Sequence, residues 1–276
     1  MPHRRPPRPA PVRPAGALAV AALALLGACS SPDGAPGTDT PTPAEPSRTA
    51  ATSPAPTVTR VPLTAGEVTL EVSAPGASDA PRVHASPDPA TSTATLTVGP
   101  AALDEDDPGW AGPPRITLTS AGALAVHRDG SVTVRDGDRA LGGLAAPDGA
   151  RLVAVDDTHL EVRAATDVAD GATAPGEVTV TLGTDGVAST AWGEREGGRS
   201  LAVEPTGWAR GAGKAGTDVV WSELVGGDPD VDTATMRDQL ECHAIGAPDK
   251  ATWNLELWRP DVGLVATMAA RCNPTP

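Results

Sequence analysis

The chain has 276 residues, with 35 acidic against 21 basic side chains and a formal charge of -14. That balance argues against a nucleic-acid binder and against a body lying flat on an anionic bilayer. The length allows one or two compact units beyond the low-complexity segments at the N-terminus.

Arg4, Arg5, Arg8 and Arg13 form a basic start, and the apolar run Gly16–Ala28 is shorter than the ~20 residues a spanning helix needs. It ends in Leu26-Gly27-Ala28-Cys29, which resembles the lipobox of bacterial lipoproteins, where the Cys is acylated and becomes the first mature residue. Residues 1–28 are therefore expected to be a signal peptide and Cys29 a lipidation site. A diacylglycerol and an amide-linked acyl chain would supply the two signals that stable anchoring needs. Removing residues 1–28 takes away four Arg and moves the formal charge to -18. From residue 29 to 59 the text is rich in Pro, Thr, Ser and Ala. Such a segment buries too little to offset the ordering of its backbone and is expected to be a disordered tether.

Residues 60–188 consist of short β-branched runs broken by Gly, Asp and Pro. Val68–Val72, Thr93–Val98, Ile116–Leu118, Leu124–Val126, Val132–Val134, Leu152–Val155, Leu160–Val162 and Val178–Leu182 alternate with period 2. Asp129-Gly130, Asp136-Gly137 and Asp185-Gly186 are turn signals. The expectation is a mainly β fold, an antiparallel sheet or sandwich, with a small α+β part at its C-terminal end. His84, His127 and His159 are isolated from one another. No Gly-rich phosphate loop follows a strand, so no cofactor is implied. The acidic run Asp104–Asp107 reads as a solvated loop rather than a loose calcium site, and Trp110 beside it as a plug for the end of the sheet, the less common alternative being a sugar-stacking surface.

Residues 189–276 differ in texture: every Lys, every Asn, the lone Gln and both internal Met lie from Lys214 onward. Gly197-Gly198 predicts a turn, Ser200–Pro205 a strand, Gly211–Gly216 a flexible bend and Asp218–Val225 a helix capped by Thr217. Asp232 or Thr233 can cap a helix to about Ala244, with Met236, Leu240 and Ala244 as its buried stripe. Arg237, Glu241 and Gln239 are read as pointing elsewhere, and Thr235 with Asp238 forms a second possible capping box. Gly246 is expected as a left-handed stop before Pro248. Asp228, Asp230 and Asp232 begin like a calcium loop, but Thr233 and Gln239 stand where Gly and Glu are required, and no metal site is read. Thr252–Trp258 alternates as a strand, with Trp253, Leu255 and Leu257 on one face and Asn254, Glu256 and Trp258 on the other. Val262–Cys272 fits a strand or a short helix. With Cys29 acylated, Cys242 and Cys272 remain in an oxidising compartment, where a disulfide is the default.

Trp192-Gly193, Gly198–Thr206, Arg210, Met236–Gln239, Cys242-His243, Lys250, Trp253–Glu256, Arg259-Pro260 and Cys272–Pro274 together resemble the domain of unknown function 2599 of actinobacterial exported proteins, over about residues 190–274. The resemblance implies export and a boundary near residue 189. It implies no reaction.

The functional expectation is a non-catalytic lipoprotein on the extracytoplasmic face of the cell membrane. Its partners would be the membrane, through its anchor, and a wall glycan or another envelope protein. Trp258, Asn254, Glu256, Arg259 and Lys250 are candidate binding residues, since Asn and Glu beside a Trp suit a polar or sugar ligand; the competing reading is that Trp258 caps a small core and Arg259 pairs with Glu256 or Asp261. The alternative is a secreted hydrolase with His243 as base, oriented by Asp238 or Glu256.

Overall fold

A computed structural model of the chain describes residues 58–75, 81–86, 88–97, 112–165 and 176–275. The expected signal peptide, Cys29, all of the expected tether except Val58 and Thr59, the acidic run and Trp110 lie outside the described residues.

The period-2 segments form two antiparallel sheets. The first has the order β1-β2-β5-β10-β9, built from β1 (Val58–Ala65), β2 (Val68–Pro75), β5 (Arg115–Leu118), β10 (His159–Ala164) and β9 (Ala150–Ala154). The second has the order β3-β4-β11-β8-β7-β6, from β3 (Arg82–Ala85), β4 (Thr91–Thr97), β11 (Glu177–Gly183), β8 (Arg139–Leu144), β7 (Val132–Asp136) and β6 (Ala123–Val126). Alternation along β2 buries Val68, Leu70 and Val72, and these meet Val132, Val134, Val178, Val180 and Leu182 of the opposite sheet in one apolar core. The result is a sandwich, as the alternation requires when one face of each sheet is apolar.

Three strands of these sheets, β1, β3 and β8, were not visible as apolar runs. In β1, Val58 and Thr59 pair with Pro75 and Ala74, so the strand takes in the last two residues of the expected tether. Pro62 interrupts its pattern and is tolerated because β1 is an edge strand. In β8, Gly142 and Gly143 dilute the signal. A Cβ on Gly143 would lie 2.8 Å from the Ala215 methyl, so the glycine admits a helix close to the sheet.

A third sheet, β12-β13-β14, joins β12 (Val187–Arg195), β13 (Gly198–Pro205) and β14 (Trp253–Glu256), all antiparallel. Against it pack α1 (Gly207–Gly211), α2 (Gly213–Gly227) and α3 (Ala234–Gly246). Leu201, Val203, Val220, Leu224, Met236, Leu240, Trp253 and Leu255 make the second core. The expected bend at Gly211–Gly216 is instead the end of α1 and the start of α2, and Thr217 is a buried helical residue rather than a cap. Residues 215–220 are buried all round, since α2 touches β7 and β8 on one side and the second core on the other. A helix in that position is stabilised by tertiary packing, which overrides its Gly and β-branched content.

Thr233 caps α3, its hydroxyl accepting from Met236 N, so the Thr235–Asp238 box does not form. Gly246 ends α3 in helical geometry, and the stop falls at Ala247, with φ -153°. Val262–Cys272 resolves into α4 (Leu264–Ala269), followed by Arg271 and Cys272 at positive φ, 55° and 66°. That reversal returns Cys272 to Cys242, and the two are disulfide-bonded with Cα atoms 5.5 Å apart.

Candidate functional site

The β7–β8 hairpin reverses at Gly137 (φ 57°) and carries Arg135, Asp138 and Arg139 toward α2. Ala140 N donates to Ser222 Oγ at 2.8 Å, which ties hairpin to helix. Between them, α2 and the start of α3 enclose a cleft of about 450 Å³ whose wall also holds Asp218, Trp221, Asp232 and Arg237.

Asp218 is the buried anchor of this wall, 4% exposed. Its Oδ2 accepts from Thr133 Oγ at 3.1 Å, and its other oxygen pairs with Lys214 Nζ. Arg135 Nη1 stands 3.6 Å away, while Arg135 Nη2 donates to the Asp138 carbonyl at 3.1 Å. Lys214 also faces Glu241 at 3.4 Å, and Glu241 faces Arg237 at 3.7 Å. Asp218, Lys214, Glu241 and Arg237 each have an opposite charge beside them, which offsets the cost of burying the Asp218 carboxylate. Arg237 lies 5.6 Å from the Trp221 ring centroid.

Thr133 gives its proton to Asp218, so His127 Nε2, 2.7 Å from the same hydroxyl, donates to it. Burial lowers the His127 pKa; Asp218 and Asp129 oppose the shift, and Lys214 and Arg135 add to it. The Thr–His–Asp sequence of contacts has no nucleophilic use, because Thr133 is fully buried. It is a strut between β7 and α2. Three side chains of the cleft remain uncommitted: among the described residues Arg139, Asp138 and Asp232 make no side-chain hydrogen bond or ion pair.

The residues expected to form an exposed binding surface are placed differently. Glu256 and Arg259 are each 3% exposed and pair with one another. Arg259 Nη1 donates to Pro274 O at 3.1 Å and Nη2 to Glu196 at 3.0 Å, and Ser200 Oγ donates to Glu256 at 3.4 Å. Gln239, read as outward, is fully buried, and its amide exchanges two 3.0 Å bonds with the Glu256 backbone. Trp258 stacks on Arg259 at 4.4 Å and covers Gly198. The second face of β14 is therefore not wet. The β12–β13 turn and the C-terminal tail close over it, and Glu256 and Arg259 clip these segments together. Asn254 is half-buried with Oδ1 unpartnered, and Lys250 is exposed on the loop that Arg210 holds through the carbonyls of Pro248, Lys250 and Ala251.

His243 is 2% exposed, and its Nε2 lies 3.1 Å from the Asn254 carbonyl. A carbonyl only accepts, so Nε2 carries the proton and the unpartnered Nδ1 is the buried lone pair. Neither ring nitrogen meets Asp238 or Glu256. Burial, with help from Lys250, lowers its pKa to about 4. The carboxyl of Asp238 is shifted upward by burial and by Asp261 and Glu241. Among the described residues no group of three or more His, Cys, Asp or Glu is arranged to hold a metal ion, and no helix is long and apolar enough to cross a membrane.

Residues 187–275 match the family model described as "Protein of unknown function (DUF2599)", so the resemblance expected over about 190–274 holds. The chain is similar to Uncharacterized protein Rv0477 of Mycobacterium tuberculosis and Uncharacterized protein Mb0487 of Mycobacterium bovis. Each is 40% identical over 93 residues, which cover 31% of this chain and 63% of the relative. Uncharacterized protein ML2452 of Mycobacterium leprae is 36% identical over 81 residues, 28% of this chain and 60% of its own. The chain thus spans less than two thirds of the length of these relatives. No solved structure matches it significantly.

Proposed function

We propose that the protein is a lipid-anchored module of the cell envelope, exposed on the extracytoplasmic face, whose folded body binds a partner and does not transform it. The observation that carries this reading is the Cys242–Cys272 disulfide. Disulfides persist in oxidising compartments, and this one uses both cysteines of the body, leaving Cys29 in its lipobox-like setting as the remaining thiol. The low-complexity run after Cys29 suits a tether. The cleft offers guanidinium, carboxylate and indole groups, which suit ligand recognition, and its one hydroxyl among the lining residues, Ser222, is engaged by Ala140 N and has no His beside it. The hydrolase alternative draws no support from His243, whose donor nitrogen is committed to a backbone carbonyl.

Labelling with an alkyne-tagged palmitate in an actinobacterial host tests the anchor. The expected result is label in the membrane fraction, lost in Cys29→Ala and shifted to a larger, uncleaved precursor in cells treated with a lipoprotein signal-peptidase inhibitor. Equal membrane retention of the Cys29→Ala chain, with no label on the parent, would overturn the reading.

A further inference from the structure

We propose that the cleft between the β7–β8 hairpin and helices α2 and α3 binds a short stretch of uncharged glycan, an inference that rests on reading the protein as an envelope binding module. Its volume, about 450 Å³, is of the size that small ligands occupy. The charge balance selects the ligand class. Arg135, Arg139 and Arg237 face Asp138, Asp218 and Asp232, and the Lys214 and Glu241 behind them cancel. A polyanion entering the cleft meets the unpaired carboxylates of Asp138 and Asp232, on a chain that is already strongly acidic. A polycation meets three guanidinium groups. A neutral polyhydroxylated ligand meets neither penalty, because each hydroxyl both donates and accepts.

The uncommitted groups fit that role. Arg139 presents a planar fork of donors, and Asp138 and Asp232 present paired acceptor oxygens, the two geometries that vicinal hydroxyls can satisfy together. Trp221 lines the same cleft, half-buried, and offers the apolar surface on which the C–H face of a sugar ring packs. The wall is rigid before any ligand arrives. Ser222 is bonded to Ala140, Arg135 to the Asp138 carbonyl and Asp218 to Thr133, so little ordering is required on binding.

The test applies the full chain, purified in mild detergent, to a printed array of neutral hexopyranose and pentofuranose oligosaccharides beside carboxylated and phosphorylated ones. Retention on neutral glycans is expected, lowered about tenfold or more by Arg139→Ala and by Asp232→Asn, the loss of a hydrogen-bonding group from a built site. Both side chains are exposed and unpartnered, so these variants should melt like the parent, whereas Trp221→Ala also touches the second core and serves only as a supporting variant. Glu67→Gln, in the β1–β2 turn outside the cleft, should bind as the parent does. Retention on charged glycans alone, no retention on neutral ones, or neutral retention that Arg139→Ala and Asp232→Asn leave intact would overturn the proposal. The outcome is separable from that of the anchor: a chain that binds neutral glycan without acylation keeps the cleft and loses the anchor, and an acylated chain that binds none does the reverse.

Discussion

His243 makes the C-terminal core sensitive to acid in a way that can be worked out from its surroundings. Protonation places a second N–H, at Nδ1, where no acceptor stands, and adds a charge to a site 2% exposed. The folded pKa of about 4 lies below the ordinary value of 6.5. Between those two values the unfolded chain binds a proton that the folded chain refuses. The stability tied to neutral His243 is therefore complete above pH 6.5, falls as pH drops from there, and is gone near pH 4. Integrated over the window this amounts to roughly 3 kcal/mol. The perturbation is His243→Gln, whose side-chain amide can still donate to the Asn254 carbonyl but does not titrate. Urea unfolding followed by Trp fluorescence at pH 7, 6, 5 and 4 should show the parent losing more stability than the variant, with the gap changing by about 3 kcal/mol across the series. His127 shifts in the same direction, and Glu223 and Asp238, both raised, act in the opposite one. All three are common to parent and variant and drop out of the difference. Parallel pH profiles for the two proteins would refute the argument.

Reducing the disulfide, or replacing both Cys242 and Cys272 with Ser, should cost about 3–4 kcal/mol for the 30-residue separation it closes, read as a fall in the midpoint of thermal unfolding. Glu256→Gln leaves Arg259 charged and buried without its closest partner, and should cost about 3–5 kcal/mol in denaturant unfolding. Pairing Glu256→Leu with Arg259→Met should recover most of that loss. Gly198→Ala places a methyl 2.1 Å from the Trp258 ring and is expected to destabilise by roughly 1–3 kcal/mol, with a shift in Trp emission as the ring moves.

Local signals were legible where one residue answers to its near neighbours. Thr233 caps α3 because its hydroxyl reaches a backbone N–H three residues on. Met236 and Leu240 lie inside because they share a helical face, and the strands of the sandwich follow from alternation. The Cys242–Cys272 bond followed from counting thiols in an oxidising compartment. The burial of Gln239 was not legible, because its type is usually wet, whereas the pairing of Arg259 with Glu256, the alternative to an exposed site, is what forms. Burial of all three becomes tolerable only through partners supplied by other segments. Glu196, which caps the Arg259 guanidinium, is 63 residues distant in sequence.

The cleft belongs to the same class. Thr133 and Asp218 are 85 residues apart and touch because Gly143 lets α2 settle on β8. That glycine carries no such meaning until the helix is in place. Alternation, capping and cysteine count dictated the elements of this protein, because each is a short-range matter of backbone geometry and local bonding. The sharing of α2 between two cores, the sealing of His243 and the gathering of Arg135, Arg139, Trp221 and Arg237 around one space were settled by long-range packing, in which a charge is buried only where the fold brings its opposite.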